Sequence, residues 1–382
     1  MQNVYLDNAA TTRVRPSVID KMQDILANHY GNPSSTHAFG RPAKTAIEKA
    51  RKSIAKVLNA HPSEIIFTSG GTEADNMILR SAVRDLGVKT ILTSRIEHHA
   101  VLHTVEELAR DYDLQIAYVN LDEGGAPDLT HLEALLKADS AKKLVSLMHI
   151  NNEIGTMIDI NVVCELCKKY DALFHSDTVQ SIGHYSWDVK KIPVDFMTAA
   201  AHKFHGPKGV GFAYVRKNSG LNPLIFGGAQ ERGLRAGTEP LHNIVGLEEA
   251  FLKAYEHLEE EQEYVGGLKM YFIEQMQKAI PEAKFNGYSA DPDRSTYTMA
   301  NVCLPFSEEQ ALMLLFHLDL KGIACSKGSA CQSGSSQGSH VLTAILSEED
   351  LKKPSLRFSF SIYNTKEEVD YVVSVLKEFM VA

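Results

Sequence analysis

Cysteine is scarce in this chain of 382 residues: five occur, at positions 164, 167, 303, 325 and 331. A small odd number argues against a disulfide framework and leaves at least one thiol free. Long apolar runs are missing too. No stretch approaches the ~20 uncharged apolar residues of a membrane-spanning helix. The opening, Met1-Gln2-Asn3-Val4-Tyr5-Leu6-Asp7, has neither the basic head nor the apolar core of a signal peptide. A cytoplasmic location without membrane attachment is therefore expected. Positive charge is not in excess, since 39 Lys and Arg stand against 48 Asp and Glu for a net charge of −9. That balance argues against direct nucleic-acid binding and leaves room only for a local basic patch. No repeat of 20–50 residues is present, and the one compositionally biased stretch is a short Gly/Ser-rich run around residue 331.

What remains is the profile of a soluble enzyme, with 44% apolar and 23% charged residues. The length is about twice that of a usual single domain, so a large domain with a smaller companion is expected. Over the first 250 residues, short β-rich runs alternate with helical patterns. Strands are predicted at 64–68, 90–94, 115–119, 143–149, 172–176, 196–199 and 210–215. Helices with apolar residues at three- and four-residue spacing are predicted at 73–86 and 100–110. This alternation predicts an α/β fold with a mostly parallel sheet covered on both faces. Leu247, Phe251, Ala254 and Leu258 mark a further helix face, and Phe272, Met276 and Ala279 another. Between them lie an acidic run, 256–263, and the pair Gly266-Gly267, which place a domain boundary near 258–266. The rest of the chain, 259–382, is expected to be a small α+β domain.

In such sheets the chemistry lies beyond the carboxyl ends of the strands; three segments there, and two more near the end of the chain, carry suitable residues. Ser69-Gly70-Gly71-Thr72-Glu73 opens a helix, where glycines admit an anion close to the backbone and free N–H groups can bind phosphate. It is neither a P-loop nor a dinucleotide fingerprint, and a plain strand-to-helix turn would look the same. Ala199-Ala200-Ala201-His202-Lys203 ends a small-residue strand before a Gly-Pro turn. Small side chains leave room for a flat ring, and a partly desolvated Lys is suited to Schiff-base chemistry, though a surface lysine in a basic turn is the plainer alternative. Asp177, closing Phe174-His175-Ser176-Asp177, could pair with a pyridinium nitrogen or merely cap a helix. Cys331 lies in Gly328-Ser329-Ala330-Cys331-Gln332-Ser333-Gly334, a polar stretch whose composition predicts mobility and an accessible thiol. Arg357, in Leu356-Arg357-Phe358, could clasp a carboxylate or sit on a strand surface.

Two other groups have quieter readings. His98, His99 and His103 include an i, i+4 pair, but without a third ligand or an H-E-x-x-H pattern a metal is not expected. They read as an aromatic lid over a cofactor ring or as helix surface. Cys164-x-x-Cys167 lacks a second pair and reads as part of an amphipathic helix at 162–169.

Together these segments resemble the NifS/IscS-type cysteine desulfurases, pyridoxal-phosphate enzymes of the aspartate-aminotransferase fold (fold type I). The likeness runs from Tyr5-Leu6-Asp7-Asn8-Ala9-Ala10-Thr11-Thr12 through Gly31-Asn32-Pro33-Ser34-Ser35 to Arg357, essentially the whole chain. It implies an N-terminal segment, 1–14, packing with the small domain. A large cofactor-binding domain would span 15–258, and a small domain, 259–382, would carry a mobile loop at about 326–340. It implies that Lys203 holds pyridoxal phosphate as a Schiff base, Asp177 pairs with the ring nitrogen and Gln180 bonds the ring hydroxyl. His98 would stack on the ring and move protons. Gly71, Thr72 and His202 would hold the phosphate, and Thr238 would reach the phosphate of the second subunit of a homodimer. Asn152 and Arg357 would orient L-cysteine. Cys331 would take its sulfur as a persulfide, leaving alanine, and could serve as a transient iron–sulfur ligand.

The resemblance further implies a sulfur-acceptor protein serving iron–sulfur assembly or tRNA thiolation. Three departures stand out. Ala200 replaces the usual phosphate-binding Ser or Thr three residues before the lysine, with Thr198 a possible substitute. Ser359-Phe360-Ser361-Ile362 follows Arg357 where Gly-Arg is common, and the chain stops at Ala382 without the tail many relatives use for a scaffold protein. A selenocysteine lyase or other β-lyase would share almost every residue named and would not need Cys331.

Overall fold

The computed structural model describes residues 3–327 and 338–381. A two-residue strand, β1 (Val4–Tyr5), is followed by helices α1 (Pro16–Asn28) and α2 (Gly40–Val57). Then come β2 (Ile65–Thr68), α3 (Gly71–Leu86), β3 (Thr90–Thr93), α4 (His99–Asp111), β4 (Gln115–Tyr118), α5 (Leu129–Lys137), β5 (Lys143–Ser146), α6 (Ile160–Lys169), β6 (Leu173–Asp177), β7 (Phe196–Ala200) and β8 (Gly211–Val215). All seven strands expected before residue 250 form, and they make one sheet in the order β2-β8-β7-β6-β5-β3-β4. The strands from β7 to β4 pair in parallel, whereas β8 runs antiparallel to both β7 and β2. The sheet is thus mixed and mostly parallel.

Its strands are buried on both faces because helices cover both. Ile54, Val163, Phe204 and Phe251 pack on one side; Ile78, Val101, Val105 and Phe196 pack on the other. Local chemistry sets the helix starts. Asp128 and Asp159 accept main-chain N–H bonds at the heads of α5 and α6, and Gly87 closes α3 in the left-handed conformation its φ of 70° requires. Cys164 and Cys167 lie on the buried side of α6, and burial pushes the Cys164 thiol up to about 12.

The remainder comprises α7 (Leu241–Glu256), α8 (Leu258–Ala279), β9 (Lys284–Phe285), β10 (Met299–Cys303), α9 (Glu308–Leu320), β11 (Ile323–Ala324), α10 (His340–Ile345), α11 (Glu348–Leu351), β12 (Ser355–Ser359) and α12 (Lys366–Val381). The acidic stretch spans the end of α7 and the start of α8, where Glu259, Glu260 and Glu261 complement the positive end of the helix. The helix then continues through Gly266-Gly267. A three-stranded sheet, β12-β10-β9, packs with α8 and α12 around Phe272 and Phe358, while β1 pairs with β11.

One buried ion pair ties the edge of the large sheet to the loop that leads to Thr238. Arg51 of α2, 2% exposed, grips Glu231 with Nη1 and Nη2 at 2.7 and 2.9 Å. It also donates to the Ile65 carbonyl, and Glu231 accepts from Phe67 N. Glu231 and Arg232 both have positive φ, 44° and 59°, which non-glycine residues adopt only when their surroundings hold them there. Arg51→Met would leave the Glu231 carboxylate buried without its cation. We expect a loss of about 3–5 kcal/mol in unfolding free energy, read from urea denaturation; a loss under about 1 kcal/mol would contradict a desolvated pair.

Candidate active site

The carboxyl ends of β2, β6 and β7 open onto a cavity of about 200 Å³. Gly71 and Thr72 reach it from the head of α3, Asp177 from the end of β6, and Ala200, His202 and Lys203 from the end of β7. His98, just before α4, and Gln180, after β6, also line it. Asn152 follows β5, and Arg357 enters from β12. Ten of the residues singled out from the sequence, Ala200 among them, therefore share one cavity. Thr238 is exposed and does not line it. Cys331 lies outside the described residues.

The close approach at the head of α3 depends on the absence of a side chain. A Cβ on Gly71 would stand 2.6 Å from Val179 Cγ2. Glu73 caps the turn by accepting from Ser69 N at 2.7 Å, and Arg235 Nε donates to the other oxygen of Glu73 at 2.8 Å. Ala200 is buried and offers no hydroxyl. Thr198 does not take its place: it is fully buried, and its hydroxyl faces Asp177 Oδ1 at 3.5 Å.

Behind the cavity stands a wall of acids. Asp177 accepts from Val179 N at 2.9 Å, and burial together with the nearby Asp75 pushes its carboxyl up to about 6. Asp75, in α3 and 1% exposed, is raised to about 7 by burial. Its Oδ1 lies 3.3 Å from Nε2 of buried His175, whose Nδ1 meets Ser146 Oγ at 2.9 Å. Burial lowers His175 to about 4. Two carboxyls so close in a desolvated site resist ionising together, and a cation facing Asp177 would stabilise its charged form.

The histidines facing the cavity are neutral donors. His98 Nδ1 accepts from Ala100 N at 3.1 Å and so caps α4, which leaves Nε2 as the protonated nitrogen. Burial lowers its pKa, opposed by Asp177 and assisted by Lys203. His202 is lowered to about 4 by burial and by Lys203, and its Nδ1 meets Thr11 Oγ1 at 3.3 Å. His99 does not line the cavity; its ring stacks with His103 at 4.6 Å and lies 4.4 Å from His340. Among the described residues no His, Cys, Asp or Glu cluster is arranged to hold a metal.

Several polar partners here come from parts of the sequence that suggested no chemistry. Lys203 Nζ donates to the carbonyls of Ala9 and Ala10, and Gln180 Nε2 donates to Ala9 O at 3.0 Å. Asp7 binds Arg357, with Nη2 to Oδ1 at 2.9 Å. Asp75 had a legible signal, since it interrupts an apolar helical stripe with Ile78, Leu79 and Ala82. The carbonyls of Ala9 and Ala10 had none, because main-chain acceptors exist at every residue.

Comparison with known proteins gives the following. Residues 4–372 match the family described as Aminotransferase class-V. A cysteine desulfurase IscS from Dictyoglomus turgidum is 42% identical over 384 residues, covering 99% of this chain and 95% of the relative. A solved structure described as a NifS-like protein covers all of both chains, with a TM-score of 0.90 and 36% identity. Another, described as SspA in complex with cysteine, covers 95% of this chain and all of its own, with a TM-score of 0.80 and 33% identity.

The acid wall makes a testable demand on the cofactor-free protein. A carboxyl whose pKa in the fold exceeds its unfolded value, near 3.9 for Asp, stabilises the fold while protonated. That contribution is lost as pH rises through the folded value, here about 7 for Asp75. Asp75→Asn cannot ionise, so its stability relative to the parent should climb by about 2–3 kcal/mol between pH 5 and pH 7, at ~1.4 kcal/mol per pH unit. Urea unfolding at the two pH values measures this; parallel behaviour of parent and variant would show that Asp75 is ionised throughout.

Proposed function

The chain belongs to the aminotransferase class-V family, and from that premise we propose that it is a pyridoxal-phosphate-dependent cysteine desulfurase, converting L-cysteine to L-alanine and passing the sulfur on. The observation that carries this reading is the single cavity that gathers Lys203, Asp177, His98, the α3 cradle, Asn152 and Arg357. Its donor set fits the cofactor. The side-chain-free approach at Gly71 suits a phosphate, the raised acid Asp177 suits a pyridinium, and Lys203 lines the same cavity.

Bound there, pyridoxal phosphate withdraws electrons from the substrate's α-carbon. The protein supplies the rest. Gly71, Thr72 and neutral His202 hold the phosphate, Asp177 holds the ring nitrogen's charge, and Gln180 bonds the ring hydroxyl. His98 covers the ring and carries a proton at Nε2. Asn152 and Arg357 orient the amino acid, with Arg357 on its carboxylate. Cys331 accepts the sulfur: its thiolate forms an S–S bond as the substrate's C–S bond breaks, and a proton completes alanine.

The same reading divides the chain into an N-terminal segment, 1–14, a large domain, 15–258, and a small domain, 259–382; separate hydrophobic clusters support it. It makes the protein a homodimer in which Thr238 reaches the partner's phosphate. The exposed side chains of Leu26, Tyr30, Phe39 and Phe226 suit burial against a second copy. A cytoplasmic location accords with the fact that no helix of the described residues is long and apolar enough to cross a membrane. The sulfur acceptor is a protein of iron–sulfur assembly or tRNA thiolation.

Cys331→Ser tests the reaction directly. It should load the cofactor and bind L-cysteine normally, yet release no alanine and yield no alkylation-trapped persulfide. Alanine release near the parental rate would turn the assignment to a lyase. Ala200→Ser should restore a phosphate donor beside His202. One hydrogen bond to a charged group, roughly 1.5–3 kcal/mol, corresponds to about ten- to a hundredfold tighter cofactor binding, measured from apo/holo equilibria; unchanged affinity would mean that the phosphate lies away from residue 200.

A further inference from the structure

Arg357 meets an anion before any substrate arrives. Its side chain is 2% exposed, Nη1 donates to the Asn152 carbonyl at 2.6 Å, and Nη2 donates to Asp7 Oδ1 at 2.9 Å. Nε is buried and has no hydrogen-bond partner among the described residues. Asp7 cannot drift away from this contact. Its neighbour Leu6 donates to Ala324 O and accepts from Ser359 N, both at 2.8 Å, so the segment is stitched between β11 and β12. Nor does another acid share the arginine among the described residues, and the nearby Cys325 thiol is pushed up to about 12 by burial and stays neutral. The guanidinium is therefore already neutralised, while its buried Nε–H, without a partner among the described residues, and the second hydrogens of Nη1 and Nη2 remain to receive a carboxylate.

The consequence follows from charge. Cysteine and alanine carry the same α-carboxylate, so any strength gained at Arg357 is gained by substrate and product alike. Such uniform binding lowers KM without raising kcat, and it slows product departure. A fixed carboxylate beside the arginine opposes it, because the incoming anion meets a like charge across the shared cation.

We propose that Asp7 is a positioning residue for the substrate carboxylate: it holds Arg357 in place and, by its charge, keeps the arginine from binding the amino-acid carboxylate too tightly. This inference rests on the reading that Arg357 receives that carboxylate.

The test uses the holoprotein and L-alanine as probe, followed by calorimetry, with cysteine turnover measured alongside. Asp7→Asn keeps the oxygen acceptor and removes the charge. It should bind alanine about tenfold more tightly and lower the KM for cysteine by a similar factor without raising kcat, as expected for removing a like charge a few Å away after solvent screening. Asp7→Glu, which restores the charge, should return both values towards the parent's. A purely structural role would instead loosen Arg357 and weaken binding in Asp7→Asn. Unchanged or weaker alanine binding therefore overturns the inference. If Asp7→Asn does not yield holoprotein, Asp7→Ser carries the same expectation. Arg357→Lys separates the two levels of the argument: if it leaves alanine and cysteine binding untouched, the carboxylate does not lie at Arg357 and the reading of the site fails. If it weakens both while Asp7→Asn strengthens neither, only the role of Asp7 fails.

Discussion

The cavity's cations rest on one short segment, residues 7–12, which turns at residues 8–10. Asp7 faces Arg357, the carbonyls of Ala9 and Ala10 receive Lys203, and Thr11 and Thr12 hold His202. Thr12 also accepts from His205 N at 2.7 Å, and Ala9 N donates to Ser359 Oγ at 2.8 Å. A buried ammonium or guanidinium is tolerable only where oxygen atoms surround it. Here those oxygens, the Asn152 carbonyl on Arg357 apart, belong to a segment stitched to β12 and to the turn after β7, so the positions of Lys203 and Arg357 relative to each other are set through it.

The opposite wall obeys the converse rule. Asp177 and Asp75 are buried, and desolvation, with the nearby Asp75 acting on Asp177, raises both. His175 and Thr198 supply dipoles and hydrogen-bonding atoms but little charge. A site built this way has an unmet preference for positive charge at one end, beside Asp177, and for negative charge at the other, beside the α3 head. A flat molecule with a ring cation and a phosphate satisfies both at once.

Much of this was legible in the sequence, and the reasons differ by residue. Asp177 and Lys203 could be placed because strand ends in a parallel sheet point towards the ligand, and the strands are marked by β-branched and small residues. The cradle at Gly71 was marked by its glycines. Thr198 was misleading: spacing puts it on the right strand, but alternation turns its hydroxyl towards the buried acids rather than into the cavity. Asp7 showed its motif but not its partner, since a contact across 350 residues leaves no local pattern. The three histidines next to α4 looked alike, and only the cap geometry separates His98 from His99.

That long span also bears on when the site comes into being during synthesis. The Lys203 hairpin, β7 to β8, closes over the ten residues 201–210. Asp7 has no arginine to meet until β12 has been made. At ~5–20 residues per second, roughly 20–70 s of translation separate the two partners. For that interval the growing chain has its lysine and its acid wall but not the arginine that lines the cavity's other side. The full lining of the cavity exists only on a chain whose two ends have met.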